Sequence, residues 1–177
     1  MKKILFLLFL TTQACVLSAQ YKPIENKSSV QFSIKNFGIP VSGSFTGLEG
    51  NIALDPAHPE EAVFKVSVKS GTVNTGNDLR DSHLKKDTYF DAEHFPVISF
   101  SSSRTVRGKD GMLVVYGTLN IKNHTKEIAI PFNVISTGDG YLFKGQFTIN
   151  RKDFEVGGSS IIADNAVITL SVTTMKQ

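Results

Sequence analysis

Four histidines, His58, His83, His94 and His124, are the first residues to question for chemistry. None stands at a ligand spacing such as H-x-x-x-H, and none has a cysteine beside it, so no metal centre is expected. His58, between Ala57 and Pro59, reads as a solvated turn residue, and His124 as a corner between strands. His83 is different, because Arg80 and Asp81 lie within one helical turn of it. An Arg fork and a His donor suit the oxygens of a polar or anionic head group. The same two side chains can equally hydrogen-bond to loop carbonyls and fix a helix to a sheet. Catalysis finds little else. There is no G-x-S-x-G elbow, no P-loop and no dinucleotide fingerprint. Asp81, Asp87, Asp91 and Glu93 sit among Lys85, Lys86 and His94, a solvated setting rather than a paired-carboxylate site. The chain reads as a binding protein without a cofactor, not an enzyme. A lipid-modifying enzyme built on His83, Arg80 and Asp81 stands as the alternative.

The N-terminus carries a different kind of signal. Lys2 and Lys3 precede an unbroken apolar run, Ile4 to Leu10, and then a small and polar stretch around Ala14, Ser18 and Ala19. That is the layout of a bacterial secretory signal peptide, and the run is far short of the roughly 20 residues that span a bilayer. Residues 1–20 are read as the signal and 21–177 as the domain, exported to the periplasm or secreted. No later stretch reads as a transmembrane segment. Cys15 is the single cysteine. Thr12-Gln13-Ala14-Cys15 faintly resembles a lipoprotein box, but Thr12 stands where an aliphatic residue is expected. With Cys15 removed, disulfides and thiolate chemistry leave the mature chain. Two sequons, at Asn26 and Asn123, read as chance matches in a bacterial protein.

With 177 residues, 41% apolar and 20% charged, the chain is long enough for one globular domain with a core of its own. The formal charge of +3 falls to +1 once Lys2 and Lys3 are set aside, too little for an electrostatic nucleic-acid footprint.

Those residues need elements to hold them, and the elements are strands. Val30, Phe32 and Ile34 alternate with polar neighbours; so do Phe64, Val66 and Val68, then Leu113, Val115, Leu119 and Ile121 with Gly117 on the same face. Ile128 to Val134, Phe143 to Ile149, and Ile168 to Val172 repeat the pattern. Period-two alternation marks half-buried antiparallel strands. The longer segment Val41 to Leu54 can bend at Gly43, Gly47 and Gly50. Turns are marked at Asp55-Pro56, Gly108 to Gly111, Thr137 to Gly140 and Gly157-Gly158. The result is one all-β domain of about eight strands, barrel or sandwich. One helix interrupts it, expected around residues 77–87, with Thr75 or Asn77 capping, Leu79 and Leu84 docking on apolar surface, and Asp81 able to pair with Lys85. Phe32, Phe45, Phe64, Phe100, Phe132, Phe143 and Phe147 fall on the inner face. In a sandwich they interdigitate as core; in a barrel they fill the interior or line a cavity.

The run Asn77 to Leu84, with Tyr89-Phe90-Asp91 and Phe95 to Phe100, resembles the YceI family of lipocalin-like, polyisoprenoid-binding periplasmic proteins. Gly117 to Ile121 with His124-Thr125-Lys126, Ile149 to Phe154, and Asp164 to Ile168 resemble its further motifs. The likeness spans Tyr21 to Lys176. Departures lie at the barrel ends: Asn36 where a His is common, and Glu155 where a Gly usually follows the Asp-Phe pair. The resemblance implies an extended antiparallel eight-stranded barrel with a long apolar cavity for an isoprenoid or similar lipid. Burying a prenyl tail is worth about 0.8 kcal/mol per carbon group, so several isoprene units outweigh an association cost of roughly 4–15 kcal/mol. The ligand-facing set expected from these readings is Phe32, Phe45, Phe90, Phe100, Phe132, Phe147 and Phe154 on the wall, with Arg80 and His83 at the head group. A homodimer is compatible with the sequence, and so is a ligand-free envelope stress protein with a filled barrel. The mature chain is expected to begin between Ala19 and Tyr21, which N-terminal sequencing or intact mass of the exported form checks; a chain starting at an acylated Cys15 would reverse the reading.

Overall fold

The computed structural model describes residues 19–108 and 111–177, so the basic head, the apolar run and Cys15 lie outside the described residues. Ten strands follow in chain order: β1 (Ala19–Pro23), β2 (Ser29–Asn36), β3 (Ile39–Phe45), β4 (Glu49–Leu54), β5 (Val63–Lys69), β6 (Val97–Arg107), β7 (Leu113–Ile121), β8 (His124–Ser136), β9 (Tyr141–Asn150) and β10 (Ile162–Lys176). Between β5 and β6 lies α1 (Asp78–Leu84). Every pairing between strands is antiparallel, in the order β1-β4-β5-β6-β7-β8-β9-β10-β2-β3. A further pairing of β1 with β10 closes the ring. Eight strands therefore form a barrel, and β2–β3 extend one side of it.

The ten strands make eight legs. β10 is long enough to hold β2 along Ile162–Ser171 and β1 along Thr174–Lys176, so β1 and β2 are one leg interrupted at residues 24–28. Likewise β3 and β4 are one leg interrupted at residues 46–48, where Gly47 takes a φ of +72°. Of the three glycines at which Val41 to Leu54 was expected to bend, Gly47 makes this break and Gly50 takes a positive φ within β4, while Gly43 stays in regular register in β3. Gly50 shows the constraint most sharply. Its φ is +135°, and a Cβ there would lie 2.1 Å from the Lys65 carbonyl oxygen.

Alternation places the side chains as the period predicts. Along β7 every second residue from Leu113 to Ile121 is buried, Gly117 included. The lower end carries the β4–β5 and β8–β9 connections and a cluster of aromatic rings. Phe64, Phe132 and Phe143 meet there with ring centroids 5.4–6.1 Å apart, and Tyr21 and Tyr141 stack edge-on at 5.1 Å. The upper end carries the long connections, residues 70–96 and 151–161.

The helix is shorter than the sequence suggested. Asn77 caps it, its side-chain oxygen accepting from the Arg80 N–H at 2.9 Å. It ends at Leu84 instead of running to 87, because the Leu84 and Lys85 carbonyls accept from the Phe90 and Ala92 N–H groups, folding the chain back. Leu79 does not dock: it is exposed on the outer side. Asp81 does not pair with Lys85. Its buried carboxylate accepts from the backbone N–H and the hydroxyl of Thr75, closing the loop before the helix. Gly50→Ala is expected to remove at least about 2 kcal/mol of stability, because the substitution combines a glycine-only φ with a backbone clash. A urea midpoint close to wild type would contradict that.

Candidate ligand cavity

Inner-face side chains are not equally buried along the legs. On β8, β9 and β10 the lower positions Phe132, Phe143 and Val172 are buried, whereas the upper positions Ile128, Phe147, Ile149, Ile168 and Leu170 keep accessible surface. They face a hollow. A cavity of about 240 Å³ lies inside the barrel, lined almost wholly by apolar side chains; its wall takes in these upper positions and reaches down to Phe64, Phe132, Phe143 and Val172. That is a little below the roughly 300–1,000 Å³ of typical small-molecule sites.

Phe32, Phe45, Phe90, Phe100, Phe132, Phe147 and Phe154 all reach this cavity. Phe32 can do so because β3 has Gly43 opposite it: a Cβ there would lie 2.4 Å from the Phe32 ring. Phe45 stands edge-on to Phe90 at 5.2 Å, across the gap between β3 and the residue 70–96 segment. That gap exists because β3 has no second strand partner. Its outer edge is held by a single bridge, Ser44 with Asn74. Leu84, Tyr89 and Phe90 complete the wall there.

Arg80 and His83 do not join the cavity. Arg80 folds back on its own loop, donating from Nε to the Thr75 hydroxyl at 2.7 Å and from Nη2 to the Thr75 carbonyl at 3.0 Å. His83 lies exposed on the outer side of α1. Arg80 is thus a helix fastening and His83 a surface residue. Among the described residues no cluster of His, Cys, Asp or Glu could hold a metal ion.

The arginine that matters to the cavity is Arg151, which sequence reasoning passed over. It is buried, its stem lines the cavity, and all five guanidinium hydrogens have acceptors. Nε donates to Ala163; Nη1 to Val156 and Gly158; Nη2 to Ser160 and Ile162, all to backbone carbonyls at 2.8–3.1 Å. Asp164 supplies a carboxylate 3.5 Å from Nη2. The guanidinium is thus the mould around which residues 156–163 curl to cover the upper end. The signal for Arg151 was its place in the Ile149 to Phe154 motif, and the Gly157-Gly158 turn was the visible trace of the loop it shapes. A polar rim borders this cover, where Glu155 (φ +51°) brings its carboxylate 3.5 Å from His124 Nε2, beside Lys122 and Lys152.

A YceI-like domain model matches residues 21–174. The chain belongs to the YceI-like family. A UPF0312 protein of Pseudomonas fluorescens is 32% identical over 137 residues, covering 71% of this chain and 69% of that protein. The crystal structure of Burkholderia cenocepacia BcnA superposes with a TM-score of 0.80 at 24% identity, covering 85% of this chain and 98% of that one. A polyisoprenoid binding domain from Saccharophagus degradans gives a TM-score of 0.71 at 14% identity over 91% of this chain and all of that one. At these identities the two structures speak to the fold. The eight-stranded YceI-like barrel expected from the motifs is therefore the fold observed. No helix among the described residues is long and apolar enough to cross a membrane.

The connection after Phe90 owes its shape to Asp91, whose φ is +46° and whose carboxylate lies 2.8 Å from His94 Nδ1. That hydrogen bond, with the attraction of the Asp91 charge, raises the His94 pKa above its ordinary 6.5. The sign follows from a raised cation: the contribution to folding is complete below the ordinary histidine value and is lost as pH rises through the raised one. His94 observed by NMR is expected to titrate above 6.5 and to fall back toward it in Asp91→Asn; an unchanged midpoint in the variant would show that the pair does not form.

Proposed function

We propose that this YceI-like protein is a binding protein for an amphipathic lipid with a long apolar tail, an isoprenoid being the chemistry that fits best, and that it works outside the cytoplasm after removal of residues 1–20. The observation that carries this is the division of the barrel. One tube gathers aromatic rings toward its lower end and encloses a cavity behind a wall of phenylalanine and aliphatic side chains. A water-filled polar site would need several buried polar partners, and this wall offers few. An apolar tail needs none, and its burial supplies the affinity at about 25 cal/mol per Å². The name of the Saccharophagus degradans neighbour, a polyisoprenoid binding domain, supports the same class of ligand. The outer position of His83 and the loop contacts of Arg80 favour binding over lipid modification. An isoprenoid tail longer than the hollow would need room made by the cover at the upper end.

Mass spectrometry of organic extracts from protein purified from its own host is expected to show an isoprenoid or related lipid in stoichiometric amount. Two substitutions sharpen the test. Phe147→Asn, in the hollow half, is expected to lower lipid retention at least tenfold with little change in thermal midpoint. Phe132→Ala, at the cavity floor where it also packs against Phe64 and Phe143, is expected to cost about 3–5 kcal/mol of stability. Equal destabilisation by both, with no lipid on the wild type, would mean that the barrel is filled core and the carrier reading fails.

A further inference from the structure

The upper end exposes three large apolar side chains on two neighbouring segments. Phe37 is 74% exposed and Ile39 69% exposed, at the tip of the β2–β3 hairpin; Ile161 is 67% exposed, one residue before β10. Asn36 pairs with Ile162, so the tip and Ile161 adjoin. Ile34 and Ile162, beside them in the chain, line the cavity. The exposed patch is thus continuous with the cavity's own wall.

The turn itself is unusual in its residue choice. Phe37 has a φ of +50° and Gly38 of +81°. Positive φ at both central positions is the pattern of a type I′ hairpin turn, which Asn-Gly fills best. A bulky aromatic residue there is strained, and nothing inside the folded monomer gains from it, since the ring points to solvent. A polar residue would fold better, so the aromatic ring points to a contact outside the chain.

Charge indicates what that contact is. The hairpin Ser29–Phe45 carries one charged residue, Lys35, immediately before the tip, and no carboxylate; residues 156–163 carry no charge at all. The carboxylates that bracket that segment are both paired, Asp164 with Lys152 at 3.0 Å and Glu155 with His124 at 3.5 Å. Apolar side chains at a rim, with Lys35 beside them and the nearest acids neutralised, match the boundary between acyl chains and anionic head groups.

The geometry points to the β2–β3 tip, with Ile161, as a membrane-docking surface that inserts Phe37 and Ile39 into the outer layer of a lipid bilayer beside the cavity. The inference builds on the reading of the cavity as a lipid site, since docking there would let a tail pass between bilayer and barrel without crossing water. The weak outer edge of β3, held at the single Ser44–Asn74 bridge, lies on the same hairpin.

The experiment is co-sedimentation of the purified protein with vesicles of phosphatidylethanolamine and phosphatidylglycerol. Wild type is expected to bind. Phe37→Asn creates the preferred Asn-Gly turn, so it is expected to keep or raise the thermal midpoint while weakening vesicle binding at least tenfold; Ile39→Thr is expected to weaken it in the same direction. Ile135→Thr removes a comparably exposed aliphatic residue at the lower end and is expected to leave binding unchanged. Wild-type protein that stays in the supernatant, or Phe37→Asn protein that binds as wild type does, overturns the proposal. So does a wild-type dimer that Phe37→Asn converts to monomer without affecting vesicle binding, because the patch would then face a second copy of the chain. Retention of a prenyl lipid offered in detergent is measured separately. Retention without vesicle binding sinks the docking surface and spares the lipid site; vesicle binding without retention does the reverse.

Discussion

Three residue pairs turn this sheet into a tube. Tyr21, Lys22 and Pro23 lie opposite Lys176, Met175 and Thr174, and that short seam joins the first strand to the last. Without it the sheet would have two open edges and no enclosed interior. The seam lies low on the barrel, because β10 spends the rest of its length on β2. The two interrupted legs follow from this. The chain must leave β10 and return to it along one line, which the break at residues 24–28 permits. Its partner leg must break at residues 46–48 to match.

A ring closed firmly at one end and loosely at the other produces two environments from one alternating pattern. Below, the ladder is continuous from β1 through β4 to β10, and aromatic rings pack edge to face. Such contacts add roughly 0.5–1.5 kcal/mol per pair beyond simple burial. Above, β3 leaves the ladder and the wall is completed by the residue 70–96 segment. That segment contributes large side chains but no continuous strand, and the interior stays hollow. The aromatic cluster below thus forms the floor of the cavity whose wall the upper positions complete.

Arg151 shows how a charge can serve an apolar site. A buried guanidinium is costly unless every donor is satisfied. Here the satisfaction comes from the carbonyls of Val156, Gly158, Ser160, Ile162 and Ala163. The cover is held by these polar bonds while the cavity wall stays almost wholly apolar.

The strands, their inward phase, the turn positions and the cavity-facing phenylalanines were legible in the sequence, because period-two alternation is a local property that any barrel of this kind must obey. So were the family motifs and a cap for α1 at Thr75 or Asn77, of which the structure uses Asn77. The sequence could not separate filled barrel from hollow one. Phe132 and Phe147 look alike in the chain, and what distinguishes them is how closely the opposite wall approaches, which depends on ring closure between residues more than 150 positions apart. Nor could it show that Arg80 and His83 turn away from the interior. That outcome rests on Thr75 and Asp81 closing their own loop and on Leu84 and Lys85 ending the helix early, contacts between groups whose residue types admit several partners. Local pattern determined which face each strand presents; only tertiary geometry decided how much space those faces enclose.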